Sequence, residues 1–155
     1  MKIFNPIPGF GPQFTEQQVR DFLVRARLNL QMGTVDEKGE PNIHPIWYIF
    51  ENDKIYVATP KKSKKAKNAL KARTVYFSID DEAFPYKGVK GKGVTKSLEN
   101  IDANIRIAEK IITKYMGSID NDLGKWIISE IRQGNGAVLE ITPKFYSAWS
   151  FGPIS

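Results

Sequence analysis

Residues 28–59 read LNLQMGTVDEKGEPNIHPIWYIFENDKIYVAT, and the order of turns and apolar runs in this stretch decides the fold. Leu28, Leu30, Met32 and Thr34 alternate with Asn29, Gln31 and Gly33, the period of two that puts alternate side chains on one face of a strand. Asp36 to Glu40 is polar and contains Gly39, so it reads as a turn, and a second strand runs from Asn42 to Phe50. Glu51 to Lys54 turns the chain again into Ile55–Thr59. Three strands joined by two short turns make an antiparallel meander.

Outward from this core, the segment up to Pro12 is rich in proline and glycine and is expected to cross the surface irregularly. Thr15 caps a helix whose Val19, Phe22, Leu23 and Ala26 share one face. On the other side Pro60 stops the third strand, and Ser63 caps a short helix to about Ala72, with Ala66, Ala69 and Leu70 as its apolar stripe. A β-branched and aromatic strand follows at Thr74–Ile79, then a long strand punctuated by glycines from about Tyr86 to Leu98. Ile101, Ile105, Ala108, Ile111, Ile112 and Tyr115 form the stripe of a helix ending at Gly117, and Leu123, Trp126, Ile127 and Ile131 that of another. Ala137–Ile141 and Phe145–Trp149 read as two short strands separated at Pro143. The fold class is therefore mainly β with helices (α+β): about seven antiparallel strands closing into a barrel or sandwich, in one domain over residues 1–155.

Composition removes several function classes. The chain has no cysteine, which excludes disulfides, thiolate nucleophiles and cysteine-held metals. His44 is the only histidine, so a zinc site would have to be completed by carboxylates, a poor set for that metal, and no metal site is expected. No nucleophile-elbow motif accompanies it. Gly88 to Thr95 carries three glycines and two lysines but completes neither a P-loop nor a dinucleotide fingerprint. Those glycines are expected to serve a bulge or a close backbone approach within the strand. The first residues lack the apolar run of a signal peptide, and no stretch is long enough to span a membrane. A soluble, cytoplasmic protein is the expectation.

The charge is concentrated. Lys61, Lys62, Lys64, Lys65, Lys67, Lys71 and Arg73 fall in residues 61–73 with no acid among them; setting these seven aside leaves 16 of the 23 basic residues against 17 acidic ones. All of the +6 net charge therefore sits in one segment, whereas a nucleic-acid binder more often spreads its positive charge over a face. Lysines at a helix start oppose the macrodipole, at a cost of ~0.3–1 kcal/mol each. An anion would reverse the sign of the arrangement: free amides, the Ser63 and Thr59 hydroxyls and two lysines could converge on one phosphate. A solvated lysine patch, with Ser63 acting only as a cap, explains the same residues, and nucleic-acid binding through the lysine helix is a third reading. Trp47, Tyr48, Phe50 and Tyr56 lie on neighbouring strands, as an aromatic ligand beside an anion site would need or as ordinary core residues do. His44 and Ile46 share a face, with Trp47 and Ile43 on the other.

The ordered set Gly33-Thr34-Val35-Asp36, Gly39-Glu40-Pro41, Pro45-Ile46-Trp47-Tyr48, Ile55–Thr59 and Ser63-Lys64-Lys65-Ala66-Lys67-Asn68 resembles the pyridoxamine 5′-phosphate oxidase-like family of FMN-binding split β-barrels. The continuation through Val75, Asp80-Asp81, Pro85-Tyr86, Val89 and Gly93 is similar to the branch that binds FMN or the deazaflavin F420. The resemblance covers about residues 28–98. It implies that Thr59, Ser63, Lys64 and Lys65 hold the FMN phosphate, and that His44, Ile46 and Trp47 lie along the isoalloxazine, partly through backbone groups. It implies a homodimer with the cofactor at the subunit interface, where Trp149 would approach the ring of the partner chain. It implies an FMN-dependent oxidoreductase, a reductase or oxidase of unassigned substrate and with no assigned catalytic residue. Alternatives are an F420-dependent reductase, for which Lys61, Lys62 and Lys67 would serve a longer acidic tail, and a non-catalytic flavin or haem store, with His44 the sole imidazole for haem. The chain lacks counterparts of the basic residues that grip pyridoxamine phosphate in the true oxidases, so vitamin B6 oxidation is not expected.

Overall fold

The computed structural model describes residues 1–154. Eight strands and four helices follow one another as β1 (Ile3–Phe4), α1 (Glu16–Arg25), β2 (Leu30–Val35), β3 (Pro41–Ile46), β4 (Tyr48–Glu51), β5 (Lys54–Pro60), α2 (Lys64–Ala72), β6 (Thr74–Asp81), β7 (Lys87–Leu98), α3 (Ile101–Met116), α4 (Asp122–Arg132) and β8 (Gly136–Ser150). The strands form one sheet in the order β3-β2-β6-β7-β8-β5-β4, antiparallel throughout, while the two-residue β1 pairs in parallel with β8.

Three elements differ from the sequence expectation. The strand expected over Asn42–Phe50 is broken at Trp47. Its first half pairs with β2 and its second half with β5, so its two halves lie at opposite ends of the sheet order. A single residue links them, which forces the sheet to curl until its edges meet. That seam is the split of the barrel. The second difference is that residues 137–141 and 145–149 belong to one 15-residue strand, because a bulge in β8, with Lys144 unpaired opposite Lys92/Gly93, absorbs the irregularity at Pro143. The close approach expected of the β7 glycines is present, whereas the bulge lies on β8 opposite Gly93: a Cβ on Gly91 would meet the Phe145 carbonyl oxygen, and one on Gly88 the Trp149 ring. The N-terminal segment also contributes β1, which was not expected.

Local chemistry explains the elements. Thr15 and Gln18 form a reciprocal capping box at the start of α1, and Val19 and Leu23 are fully buried beneath it. The β4–β5 hairpin turns on Asn52 and Asp53, both at positive φ (53° and 57°), the pair of left-handed residues that a two-residue primed turn requires. Arg20 of α1 clamps that turn with bonds of 2.8 and 3.2 Å to the Asp53 carboxylate. Inside the barrel, Leu30, Met32, Tyr48, Ile55, Val57, Ile79 and Leu139 form the main core. A second, smaller core lies outside the barrel, where α3 and α4 cover Ala58 and Val138 with Ile105, Ala108, Ile127 and Ile131. No helix among the described residues is long and apolar enough to cross a membrane.

Candidate functional site

The lysine segment becomes the turn and first half of α2. Pro60 accepts from the Ser63 amide at 3.0 Å, and the Lys61 amide is tied to the Asn135 carbonyl at 2.7 Å, so the approach to the helix is fixed at both ends. Ser63, at φ −64° and ψ 150°, is the N-cap. Its Oγ accepts from the Ala66 amide at 3.3 Å and lies 3.2 Å from Thr59 Oγ1 at the end of β5. The Ser63 carbonyl takes the Lys67 amide. A helix start leaves its first amides without intrahelical partners; here those of Lys64 and Lys65 have none among the described residues. Two donors and the positive end of the dipole therefore emerge beside Thr59 and Ser63.

The opposing charge that the sequence left undecided comes partly from the chain itself. Asp36, in the β2–β3 turn, lies 3.6 Å from Lys64 Nζ, and Glu37 accepts from Lys71 Nζ at 2.7 Å. The Asp36 carboxyl is held below the usual range first by the Glu40 amide, then by that of Lys38 and by Lys64, with partial burial opposing them. Lys61, Lys62, Lys65 and Lys67 have no carboxylate partner among the described residues. Lys62, Lys64 and Lys67 line an open hollow of about 510 Å³ facing the β2–β3 turn.

His44 lies on β3 opposite Met32, two residues beyond the Asn42–Thr34 pair. Cross-strand partners share a face, so the imidazole stands on the same side as the buried Met32 and Thr34. Thr34 accepts at 3.2 Å from Asn68 of α2, which ties β2 to the helix beside His44. The imidazole is partly buried, and its Nε2 is buried without a hydrogen-bond partner. Burial first, then the charges of Lys65 and Lys64, hold its pKa below the ordinary histidine value. The structure thus brings Thr59, Ser63 and the start of α2 together, and Lys64 and Lys65 lie near enough to His44 for their charges to lower its pKa.

Ile46 and Trp47 are placed differently. The Ile46 side chain is packed in the barrel core, leaving only its backbone for a ligand. Trp47 stands at the break between β3 and β4 and stacks on Tyr115 of α3. Trp149 lies opposite Gly88 on the β7–β8 ladder, with Lys90 Nζ 6.0 Å from its ring centre. Sequence reasoning missed Asp36 and Tyr115 as neighbours of the site. The polar turn around Asp36 was legible, but its pairing with α2 is a tertiary contact with no local signature. Among the described residues, no group of three or more histidine, aspartate or glutamate side chains comes together to hold a metal.

Comparison with known proteins agrees with this architecture. Residues 15–150 match the family described as pyridoxamine 5′-phosphate oxidase, and the chain belongs to that family. No curated protein matches the sequence. Among solved structures, a conserved hypothetical protein from Mycobacterium tuberculosis is similar with a TM-score of 0.75 at 22% identity, over 90% of this chain and 86% of that one. An F420 reductase is similar with a TM-score of 0.66 at 16% identity, over 88% of this chain and 98% of that one. An FAD-binding protein from Mycobacterium smegmatis gives 0.64 at 15% identity, over 90% and 98%. At these identities the likeness is one of fold.

Proposed function

We propose that this chain is a flavin-binding oxidoreductase that holds FMN by its phosphate at the start of α2. The observation that carries the reading is the buried, unpartnered Nε2 of His44, on a ring whose pKa is lowered by burial and by the charges of Lys65 and Lys64 at the start of α2. A buried polar atom without a partner costs about 1–3 kcal/mol unless a ligand or water satisfies it. The residues present suit a phosphate: two amides, the Thr59 and Ser63 hydroxyls, and Lys64 and Lys65. Bound flavin would supply hydride transfer at its N5, while the chain orients the ring and shields it from water. Family membership and the likeness in fold to an F420 reductase and an FAD-binding protein support a flavin-type ligand.

A second copy of the chain completes this reading. The register aligns Ile43, Gly33, Tyr76 and Lys92 in one row across β3, β2, β6 and β7, on the outer face of the sheet. Ile43 and Tyr76 are 72% and 55% exposed, and they flank a groove over Gly33. An apolar row of this kind on an outer face suits a symmetric contact with another copy.

F420 is the second reading, favoured by Lys62 and Lys67, which line the open hollow with Lys64 and have no carboxylate partner among the described residues. The absorption spectrum of the purified chain and a fluorescence titration with FMN test the first reading. Replacing Lys64 and Lys65 together by alanine is expected to weaken FMN binding by more than a hundredfold. Unchanged affinity in that variant would refute the phosphate assignment.

A further inference from the structure

We propose that Asp36 is an internal counter-ion of the phosphate site: its carboxylate holds Lys64 in the empty protein, an arriving phosphate displaces it, and it takes Lys64 back as the ligand leaves. This rests on the flavin-phosphate reading above and adds to it the manner of holding, an exchangeable flavin in place of a permanently bound one.

Lys64 is the first residue of α2, directly after the Ser63 cap. Residues 61–67 hold five lysines, and among the described residues Lys64 alone of them has a carboxylate partner, Asp36 Oδ2 at 3.6 Å. Lys61, Lys62, Lys65 and Lys67 stay free to draw an anion toward the helix start. Three acids of the β2–β3 turn border the hollow, together with Lys38, which has no carboxylate partner either. Only Asp36 of these acids reaches the start of α2. Glu37 is engaged at 2.7 Å by Lys71, in the last turn of the helix, and Glu40 has no basic partner among the described residues. The chain therefore sets its one opposing charge against the lysine next to the cap.

The two oxygens of Asp36 have separate tasks. Oδ1 accepts from the Lys38 and Glu40 amides at 2.9 and 3.0 Å and shapes the turn, whereas Oδ2 engages Lys64. The contact to Lys64 is loose. At 3.6 Å it is longer than the roughly 2.7–2.9 Å of a charge-assisted hydrogen bond, and the Lys64 side chain is 57% exposed and free to turn. Nor does the hairpin need this pair to keep its place. Thr34 accepts from Asn68 at 3.2 Å and Glu37 from Lys71, so two other contacts join β2 and its turn to α2. A phosphate at the Ser63 cap offers Lys64 a stronger partner and sets Asp36 against a second negative charge. Both effects lower affinity for the anion, and both speed its release.

FMN binding by the natural chain, Asp36→Asn and Glu37→Gln tests this, with affinity read from flavin fluorescence and release from its recovery on dilution. Asparagine keeps an oxygen for the two turn amides and loses only the charge toward Lys64. The two variants remove one negative charge each from neighbouring positions, so the net charge changes equally. Asp36→Asn is expected to bind FMN about fivefold more tightly, the upper end of what an exposed ion pair contributes, chiefly through slower release. Glu37→Gln should stay within about twofold, its charge being screened and directed at Lys71. Damage to the turn would weaken binding, so a gain is a result that a purely structural role does not give. Equal tightening in both variants overturns the role of Asp36, since overall charge then accounts for it, and so does unchanged or weaker binding by Asp36→Asn. Independently of the variants, the Asp36 carboxyl resonance of the natural chain should shift when FMN binds, and an unmoved resonance overturns the displacement. Failure of the natural chain and Asp36→Asn alike to bind FMN overturns the flavin-phosphate reading itself.

Discussion

Trp47 and Tyr115 stack face to face, with ring centres 4.8 Å apart and planes 4° from parallel. Tyr115 is itself fixed, donating to the Leu28 carbonyl at 2.7 Å and accepting from the Tyr48 amide at 3.4 Å. The residue at the seam between β3 and β4 is therefore held by α3, and one face of its indole is already covered. A double-mutant cycle of Trp47→Ala and Tyr115→Ala in urea is expected to give a coupling of about 0.5–1.5 kcal/mol. Tyr115→Phe keeps the stack but loses the hydrogen bonds, and should cost about 1 kcal/mol.

Lys114, the neighbour of Tyr115, sets a pH dependence of stability. Its ammonium lies 3.8 Å from the centre of the Tyr48 ring and 3.4 Å from the Leu23 carbonyl, in the last turn of α1. Burial lowers its pKa to about 8 in the folded chain, against 10.5 for a free lysine. Between those values the unfolded chain binds more protons than the folded one, so stability rises with pH through this window. Tyr115, pushed up to about 12 from 10.0 by burial, works the other way above pH 10. Melting temperatures between pH 8 and 10 should therefore rise, and Lys114→Met should flatten the rise.

Ser63→Ala removes the N-cap of α2 and the partner of Thr59 Oγ1 in one step. The expected loss is about 1 kcal/mol of stability, measured by chemical denaturation without ligand. Lys65→Ala should behave in the opposite sense in the same experiment. It removes an unpaired positive charge from a helix start and should stabilise the empty protein by a few tenths of a kcal/mol, roughly the lower end of the dipole effect. Gain of stability together with loss of FMN affinity would mark Lys65 as retained for a ligand.

Ile43→Lys places a charge in the middle of the exposed row on β3. Sedimentation velocity is expected to show a dimer for the natural chain and a monomer for this variant. A natural chain that is monomeric at all concentrations would exclude the second copy from the site.

Where the sequence was sufficient, the reason is local. Thr15 and Ser63 cap the helices they were expected to cap, and Val19, Leu23, Ala66 and Ala69 are buried as their spacing required. The membership of the family and the split-barrel architecture were legible in the order of short motifs between Gly33 and Asn68. The break at Trp47 was not, because apolar residues continue without interruption from Ile46 to Phe50 and a change of pairing partner leaves no mark on their pattern. Pro143 misled for a different reason: Lys144 beside it bulges out unpaired opposite Lys92/Gly93, and the ladder with β7 resumes on both sides. At the site, the residue types at the α2 start were readable, whereas the distance from Asp36 to Lys64 depends on how the hairpin folds over the helix.

The strand that changes partners at Trp47 has a mechanical consequence. β3 and β4 belong to the two ends of the sheet order yet are covalently consecutive, so neither hairpin can slip in register by one residue without dragging the other. A slip would turn His44 outward and expose Tyr48 together. The two hairpins are geared to each other through one peptide unit, and a ligand that grips β3 at His44 would brace the β4–β5 hairpin as well. Amide exchange at Tyr56 and Val57 is where that bracing would register.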